Sequence, residues 1–335
     1  MVDATHISFP ANDRSYFSLM KKEIHQRLVE AGIDKYRVAE VDIIVSEITS
    51  NLFKYANNGE ILFGQFIENG IPYIEVISID NGPGMLHPLR MLQDGVTTSN
   101  TLGAGLGSIK RLSDTFDIYS QPGWGTVLLS RVYVGKKPTE RQDVIIRPLV
   151  VFKPGEKVSG DGFACRIYRD GFKVMLGDGL GHGPEANKAV NEAAKTFKVF
   201  PDTSPTETLR FLHSAIKKTR GMVANVTYYN SAKKEWSSSG IGNIAAKWIG
   251  PTVSKNHMCY NGIVGHNIPN TMNDQHYSSN EYNQLVLCSD GIKTRWEVTK
   301  YPGILKHDPS ILAACIYKDH ARRTDDMSVV VIKVK

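Results

Sequence analysis

Four aspartates carry the first chemistry this sequence offers. Asp161, Asp178, Asp290 and Asp325 lie in SGDGF (159–163), GDGLGHG (177–183), CSDGIK (288–293) and RTDDMSVVVIK (323–333). Each stands at or near the end of an apolar, strand-like run. A single Asp-Gly pair is an ordinary turn. Four such carboxylates gathered in space repel one another unless cations neutralise them. Two divalent ions about 3.5–4 Å apart would resolve that repulsion and suit the hydrolysis of phosphoesters. The ligand spacing of a calcium loop is absent.

A second set of polar residues points to nucleotide chemistry. Glu47, Asn51 and Lys54 fall at i, i+4 and i+7 of a helical pattern and so share one face. Any amphipathic helix offers a polar face; the company of these three changes the reading. SIDNGPGM (78–85) ends a strand in Asp80 and turns through Gly82 and Gly84, which let backbone approach a neighbour closely. A long connection, 86–104, then leads to TLGAGLGSIKR (101–111), with Gly103, Gly105 and Gly107 opening a helix, and QPGWGTV (121–127) supplies Thr126. Bare backbone N–H groups at a helix start hold phosphate. The G-x-G-x-G spacing is neither a Rossmann fingerprint nor a P-loop.

The order Glu-xxx-Asn, Asp-x-Gly-x-Gly, Gly-x-Gly-x-Gly and Gly-Thr resembles the Bergerat-fold, histidine-kinase-like ATPases. It is most similar to the RsbT-like switch kinases, which phosphorylate serine or threonine on STAS-domain partners. The resemblance covers nearly all of residues 1–135. It implies that Asn51 binds Mg²⁺ through its amide oxygen, a hard ligand for a hard cation. Glu47 would be the base or orienter for the attacking hydroxyl. Asp80, helped by Thr126, would accept a hydrogen bond from adenine, and Gly82 and Gly84 would let the chain pass under the base. Gly103, Gly105 and Gly107 would cradle the phosphates of ATP, and Lys54 could neutralise phosphate charge.

The aspartate series, with GHGPEANKAV, ANVTYYN, GIGNIAAKW and NGIVG in order, resembles the SpoIIE-type, RsbX-like branch of the metal-dependent PPM phosphatases across about 145–335. It implies that Asp161, Asp178, Asp290 and Asp325 ligate Mg²⁺ or Mn²⁺, with the Gly179 carbonyl. Asp161 and Asp178 would be catalytic through the ions they hold. Asp326 would tune the site, and His182 reads as a turn residue that shapes its loop. The phosphate-gripping arginine of many eukaryotic relatives has no clear match; Arg166 is a weak candidate.

The elements that must position these residues follow from periodicity. Residues 12–31 and 35–56 are helical, with strands at about 60–68, 72–79, 115–121 and 125–134. The polar stretch GKKPTERQD (135–143) separates two glycine-rich halves. The expected organisation is an ATP-binding kinase domain at 1–135, a linker at 136–144 and a phosphatase domain at 145–335. DVIIRPLVVF opens the second half with a strand, and helices are expected at 184–199 and 205–220. The expected fold is two-domain α/β: a Bergerat α/β sandwich, then a PPM-type α-β-β-α sandwich.

The 335 residues are enough for two cores. A net charge of +6 with scattered Lys and Arg reads as a solvated basic surface, and no nucleic-acid partner is expected. No apolar run approaches membrane-spanning length, and the opening residues lack the pattern of a signal peptide. Four widely spaced cysteines without a CxxC pair fit a reducing cytoplasm. Together the halves suggest a cytoplasmic switch enzyme, adding phosphate to a STAS-type regulator and removing it, with sigma-factor regulatory proteins as possible partners. Two other readings stay open: a nucleotide-dependent binding module attached to a phosphatase, and hydrolysis of small phosphoesters.

Overall fold

The computed structural model describes residues 5–11, 13–56, 58–68, 70–92, 105–138 and 143–335. The chain divides into two compact units. One comprises the described residues of 6–141 together with Val298–Cys315, and the other holds the remaining described residues.

In the first unit, β1 (Thr5–Pro10) leads to α1 (Arg14–Glu30) and α2 (Lys35–Tyr55), then β2 (Glu60–Glu68), β3 (Ile71–Asp80), α3 (Gly105–Leu112), β4 (Thr115–Gln121) and β5 (Gly125–Tyr133). Both long helices start where a side chain can satisfy a free backbone donor. Asp13 accepts from the Ser15 N–H and Asp34 from the Tyr36 N–H, each at 2.9 Å. The strands form an antiparallel sheet in the order β1-β2-β3-β5-β4. Met20, Ile24 and Leu28 of α1 and Val41, Ile44, Val45 and Ile48 of α2 bury their stripe against Ile61, Phe63, Ile74 and Val76 of the sheet. This leaves Glu47 and Asn51 half-buried beside that stripe.

Polar groups are also buried in this unit. Arg131 of β5 is 1% exposed; its Nε donates to Glu75 Oε2 at 2.7 Å and its Nη1 to Asp308 Oδ2 at 3.0 Å. Its Nη2 donates to Asp308 Oδ1 and to Ser310 Oγ. Burial opposes the guanidinium charge, and Asp308 and Glu75 outweigh that cost, holding Arg131 protonated well above its ordinary range. Asp117 of β4 accepts from the Asp308 N–H at 2.7 Å and lies 2.8 Å from His307 Nδ1. Residues 298–315 thus complete a unit whose other members lie far away in sequence.

In the second unit, β6 (Val144–Val151), β7 (Asp161–Tyr168), β8 (Gly171–Gly179), α4 (Pro184–Val199), α5 (Pro205–Ala215), β9 (Met222–Asn230), β10 (Glu235–Ile241), β11 (Ala245–Ile249), β12 (Ser254–Asn256), β13 (Gln275–Ser278), β14 (Gln284–Cys288), α6 (Pro309–His320) and β15 (Met327–Val334) follow in chain order, with α6 beginning in the first unit. Two antiparallel sheets, β12-β11-β14-β15-β6 and β13-β10-β9-β8-β7, face each other. Between them Val150, Leu285 and Val330 meet Phe172, Tyr229 and Trp236. The far face of the second sheet packs under α4 and α5 through Ala164, Met175, Val190, Phe197 and Leu209. This is the mixed α/β layering expected from sequence.

One helix ends earlier than its pattern. The expected helix over 205–220 stops at Ala215. There the chain tightens into a turn, with Thr219 N–H and Oγ1 both donating to the Ile216 carbonyl, and Gly221 follows at φ +75°. Among the described residues no helix is long and apolar enough to cross a membrane, and all four cysteines are free.

Removing one partner of a buried ion pair leaves an uncompensated charge. Arg131→Ala is expected to cost about 3–5 kcal/mol in stability, and Asp308→Ala less because Glu75 still faces the guanidinium. Urea titration of both variants against the parent chain checks the order.

Candidate functional site

Each unit carries its own cluster. In the first, the last turns of α2 meet the first residue of α3. A Cβ placed on Gly105 would lie 2.8 Å from Glu47 Oε2 and 3.6 Å from Asn51 Oδ1. A side chain there would press on the Glu47 carboxylate, so glycine leaves the free N–H groups of the helix start next to a carboxylate and an amide without shifting them. Those N–H groups and the helix dipole favour an anion, and Asn51 offers a hard oxygen for the cation that accompanies phosphate. The cradle that a Cβ on Gly105 would fill is the feature that fits a magnesium-bound nucleotide. Gly107 is buried within α3, whereas Gly103 lies outside the described residues.

The Asp80 loop lies against the C-terminal end of α2, one turn beyond Asn51. Asp80 closes β3 and is the cross-strand partner of Thr126, which lies inside β5. Its Oδ1 accepts from the Gly82 N–H at 2.7 Å. A Cβ on Gly82 would collide with the Tyr55 carbonyl at the end of α2, and one on Gly84, at φ +69°, with the Gln121 carbonyl. These two glycines are therefore required by close approach of backbone to backbone, whatever passes above them. Ser120 Oγ ties the loop to the neighbouring hairpin: it accepts from the Met85 N–H at 2.8 Å and lies 3.0 Å from Thr126 Oγ1. Sequence reasoning did not single out Ser120. Lys54 is exposed, one helical turn beyond Asn51.

In the second unit Asp161 and Asp178 are direct cross-strand partners on β7 and β8. Ser289 Oγ and Ser328 Oγ both donate to Asp161 Oδ2, at 2.6 and 2.7 Å. Asp290 follows Ser289 at the end of β14, and Asn243 Nδ2 donates to Asp290 Oδ2 at 2.9 Å. Asp178, Gly179, Asp290 and Asp325 line one cavity of about 390 Å³. Burial, opposed by the two serine hydroxyls and abetted by Asp326 and Asp290, raises the Asp161 carboxyl above its ordinary range. Burial and then the charges of Asp161, Asp290 and Asp325 raise Asp178. Like charges crowded in a shielded place are what divalent cations relieve.

Among the described residues no three His, Cys, Asp or Glu side chains close on a single point. The donor set is all oxygen and fits hard cations.

The neighbours of the cluster divide into clamps and ligands. Asp326 spends both oxygens on backbone, accepting from Lys153 N–H at 2.9 Å and Gly160 N–H at 2.7 Å, so it fixes the loop before β7. His182 Nδ1 lies 2.7 Å from Glu156 Oε1, which shapes the turn before α4. Arg166 does not face the cavity residues: its Nη1 donates to the Phe200 carbonyl at 2.8 Å, five residues along β7 from Asp161. Ser289 and Ser328 were not anticipated; their adjacency to the acidic motifs, in CSDG and DDMS, was the available signal.

The histidine kinase-like ATPase domain family matches residues 9–131. The serine/threonine-protein kinase RsbT of Bacillus subtilis (strain 168) is 36% identical over 97 residues, which is 29% of this chain and 73% of RsbT. Among solved structures, RsbX in complex with magnesium superposes with a TM-score of 0.52 at 16% identity, over 58% of this chain and 98% of RsbX. A chain solved in work on "the bacterial stressosome: a modular system that has been adapted to control secondary messenger signaling" gives 0.52 at 22% identity, over 57% of this chain and all of that one. At these identities the structural likeness concerns the fold. Identity to RsbT across nearly three quarters of that kinase is a stronger relation, and through it the chain belongs to the RsbT family of serine/threonine kinases with a histidine kinase-like ATPase domain, carried here in one polypeptide with a unit of RsbX-like fold.

Proposed function

We propose that the chain is a bifunctional switch. Its first unit transfers the γ-phosphoryl group of ATP to a serine or threonine of a STAS-type regulatory protein, and its second unit hydrolyses that phosphoester. The observation that carries this reading is the presence in one chain of two unlike oxygen clusters: a carboxylate and amide against a helix N-terminus, and four aspartates grouped around β7 and β8. Membership of the RsbT family supports the transfer. The partner in this reading is a STAS-type regulator in the cytoplasm, with sigma-factor regulatory proteins as further partners; RsbT family membership and a fold shared with a chain from work on the bacterial stressosome agree with a regulatory partner of that type.

In the kinase unit, Glu47 takes up the proton of the attacking hydroxyl, and Asn51 would hold Mg²⁺ through its amide oxygen. The N–H groups opening α3, at Gly105 and Gly107, would cradle the phosphates; Gly103, expected to share that role, lies outside the described residues. Asp80 accepts from the adenine amino group, with Thr126 beside it. Lys54 neutralises phosphate charge at the rim. In the phosphatase unit, Asp161, Asp178, Asp290, Asp325 and the Gly179 carbonyl would hold two Mg²⁺ or Mn²⁺ ions. Such ions supply charge neutralisation and a more acidic water. Asp161 and Asp178, cross-strand partners, would each offer a carboxylate to those ions. The two serine hydroxyls on Asp161 Oδ2 leave Oδ1 as its free ligand atom and fix its direction.

Incubating the chain with Mg-ATP and a STAS-domain protein is expected to give a phosphorylated partner that appears and then decays by intact mass. Glu47→Gln should slow labelling about 10²-fold or more. An unlabelled partner with the parent chain would favour a nucleotide-dependent binding module instead.

Asp178→Asn should make the phosphorylated partner persist, with dephosphorylation at least about a hundredfold slower, since several kcal/mol of charge stabilisation are lost. EDTA should have the same effect on a partner that is already phosphorylated.

Ser289→Ala should weaken Mn²⁺ binding about 10–100-fold, the usual loss when a hydrogen bond to a ligand is removed. Calorimetric titration of the metal measures it without any substrate.

A further inference from the structure

The proposed phosphatase site has no evident grip on its substrate. Four aspartates and two divalent ions balance in charge, so a phosphomonoester dianion would arrive at a neutral floor. A cation at the rim would complete the site, and Arg166 is engaged elsewhere.

Arg220 occupies the required position. It ends the tight turn that follows α5, and the backbone on either side of it is fixed. His266 Nε2 bonds the Arg220 carbonyl at 2.8 Å, and Leu180 N–H donates to the Gly221 carbonyl at 3.1 Å. The second of these bonds ties the turn to the segment just past β8, which ends in Asp178 and Gly179 and leads into Gly181. A Cβ on Gly221 would fall 2.6 Å from His266 Cδ2 and 2.8 Å from the Val264 carbonyl, so this position too is held by close packing.

The side chain, in contrast, is exposed. A Cβ on Gly181 would lie 3.1 Å from Arg220 Nη1, and Gly181 lines the cavity together with Asp178, Asp290 and Asp325. Among the described residues the guanidinium has no hydrogen-bond or ion-pair partner. An unpaired guanidinium on a rigid turn, next to the Gly181 that lines the cavity, is placed for an anion that comes there. Its planar fork of donors matches phosphate oxygens in pairs.

We propose that Arg220 is the phosphate-gripping residue of the second unit, binding the phosphoryl oxygens of a phosphoserine or phosphothreonine substrate at the cavity rim. This rests on the phosphatase reading and adds to it a residue outside the aspartate motifs. Arg220 binds and orients; it moves no proton.

The test uses the full chain loaded with Mn²⁺ and three versions: the parent, Arg220→Ala and Arg220→Lys. Inorganic phosphate is titrated calorimetrically, and hydrolysis of a phosphoserine peptide is followed in parallel. Losing a charge-assisted bidentate contact should weaken phosphate binding about 10–100-fold in Arg220→Ala. KM for the peptide should rise by a similar factor, with kcat changed much less. Arg220→Lys should recover part of the affinity, since charge returns without the fork. Mn²⁺ affinity and melting temperature should match the parent in both variants. Phosphate affinity within twofold of the parent in Arg220→Ala, or no phosphate binding by the parent itself, would overturn the inference. Peptide hydrolysis by the parent reports on the phosphatase reading separately: a parent that binds phosphate through Arg220 and hydrolyses nothing would sink that reading alone.

Discussion

A buried carboxylate and a half-buried one face each other across one strand pair, and the second unit is arranged around holding them there. Asp161 and Asp178 are register partners on β7 and β8, so their separation is set by the sheet and not by side-chain freedom. Unrelieved, that pairing would push the strands apart or keep the groups protonated. The surrounding sequence resists the first outcome. Asp326 pins the backbone before β7 with both oxygens, and Ser289 and Ser328 hold Asp161 from the opposite sheet. The apolar sandwich of Phe172, Tyr229, Trp236 and Leu285 supplies the rigidity behind them. A cluster built in this way costs stability, a cost that the proposed cation-binding role would account for.

The first unit meets a different constraint, close approach of backbone. Gly105 admits the start of α3 to Glu47 and Asn51, while Gly82 and Gly84 admit the Asp80 loop to the Tyr55 and Gln121 carbonyls. A methyl group at Gly82 or Gly84 would drive the loop off those carbonyls, and one at Gly105 would displace the Glu47 carboxylate. The unit also draws on residues from far along the chain: Asp308 and Ser310 satisfy Arg131, which without them would keep only Glu75 in a place nearly sealed from water. Catalytic geometry and folding are therefore served by different parts of the sequence, the first by short glycine motifs and the second by a remote segment whose composition gives no hint of its destination.

Much of this was legible in advance. The helices at Arg14–Glu30 and Lys35–Tyr55, the strands of both halves and the aspartates at strand ends follow from periodicity and turn chemistry. The pairing of Glu47 and Asn51 on one helical face was legible too, because i and i+4 must coincide there. Less was legible where a residue's role depends on a neighbour distant in sequence. The end of α5 at Ala215 depends on a threonine that caps its own turn, and the path of that turn decides where Arg220 points. Ser289 and Ser328 look like ordinary serines until β14 and β15 are laid side by side over Asp161.

By itself the sequence determined which residues exist to do chemistry, in what order, and on which kind of element, because local periodicity and glycine's steric freedom act over a few residues. The tertiary structure alone decided which oxygen of Asp161 is held by serines, that Asp326 is a clamp, that Arg166 is turned away, and that 298–315 joins the first unit. Those outcomes come from packing and from electrostatics between groups 30 to 200 residues apart. Such pairings obey no spacing rule, since only the folded sheets bring the partners within a hydrogen bond's reach.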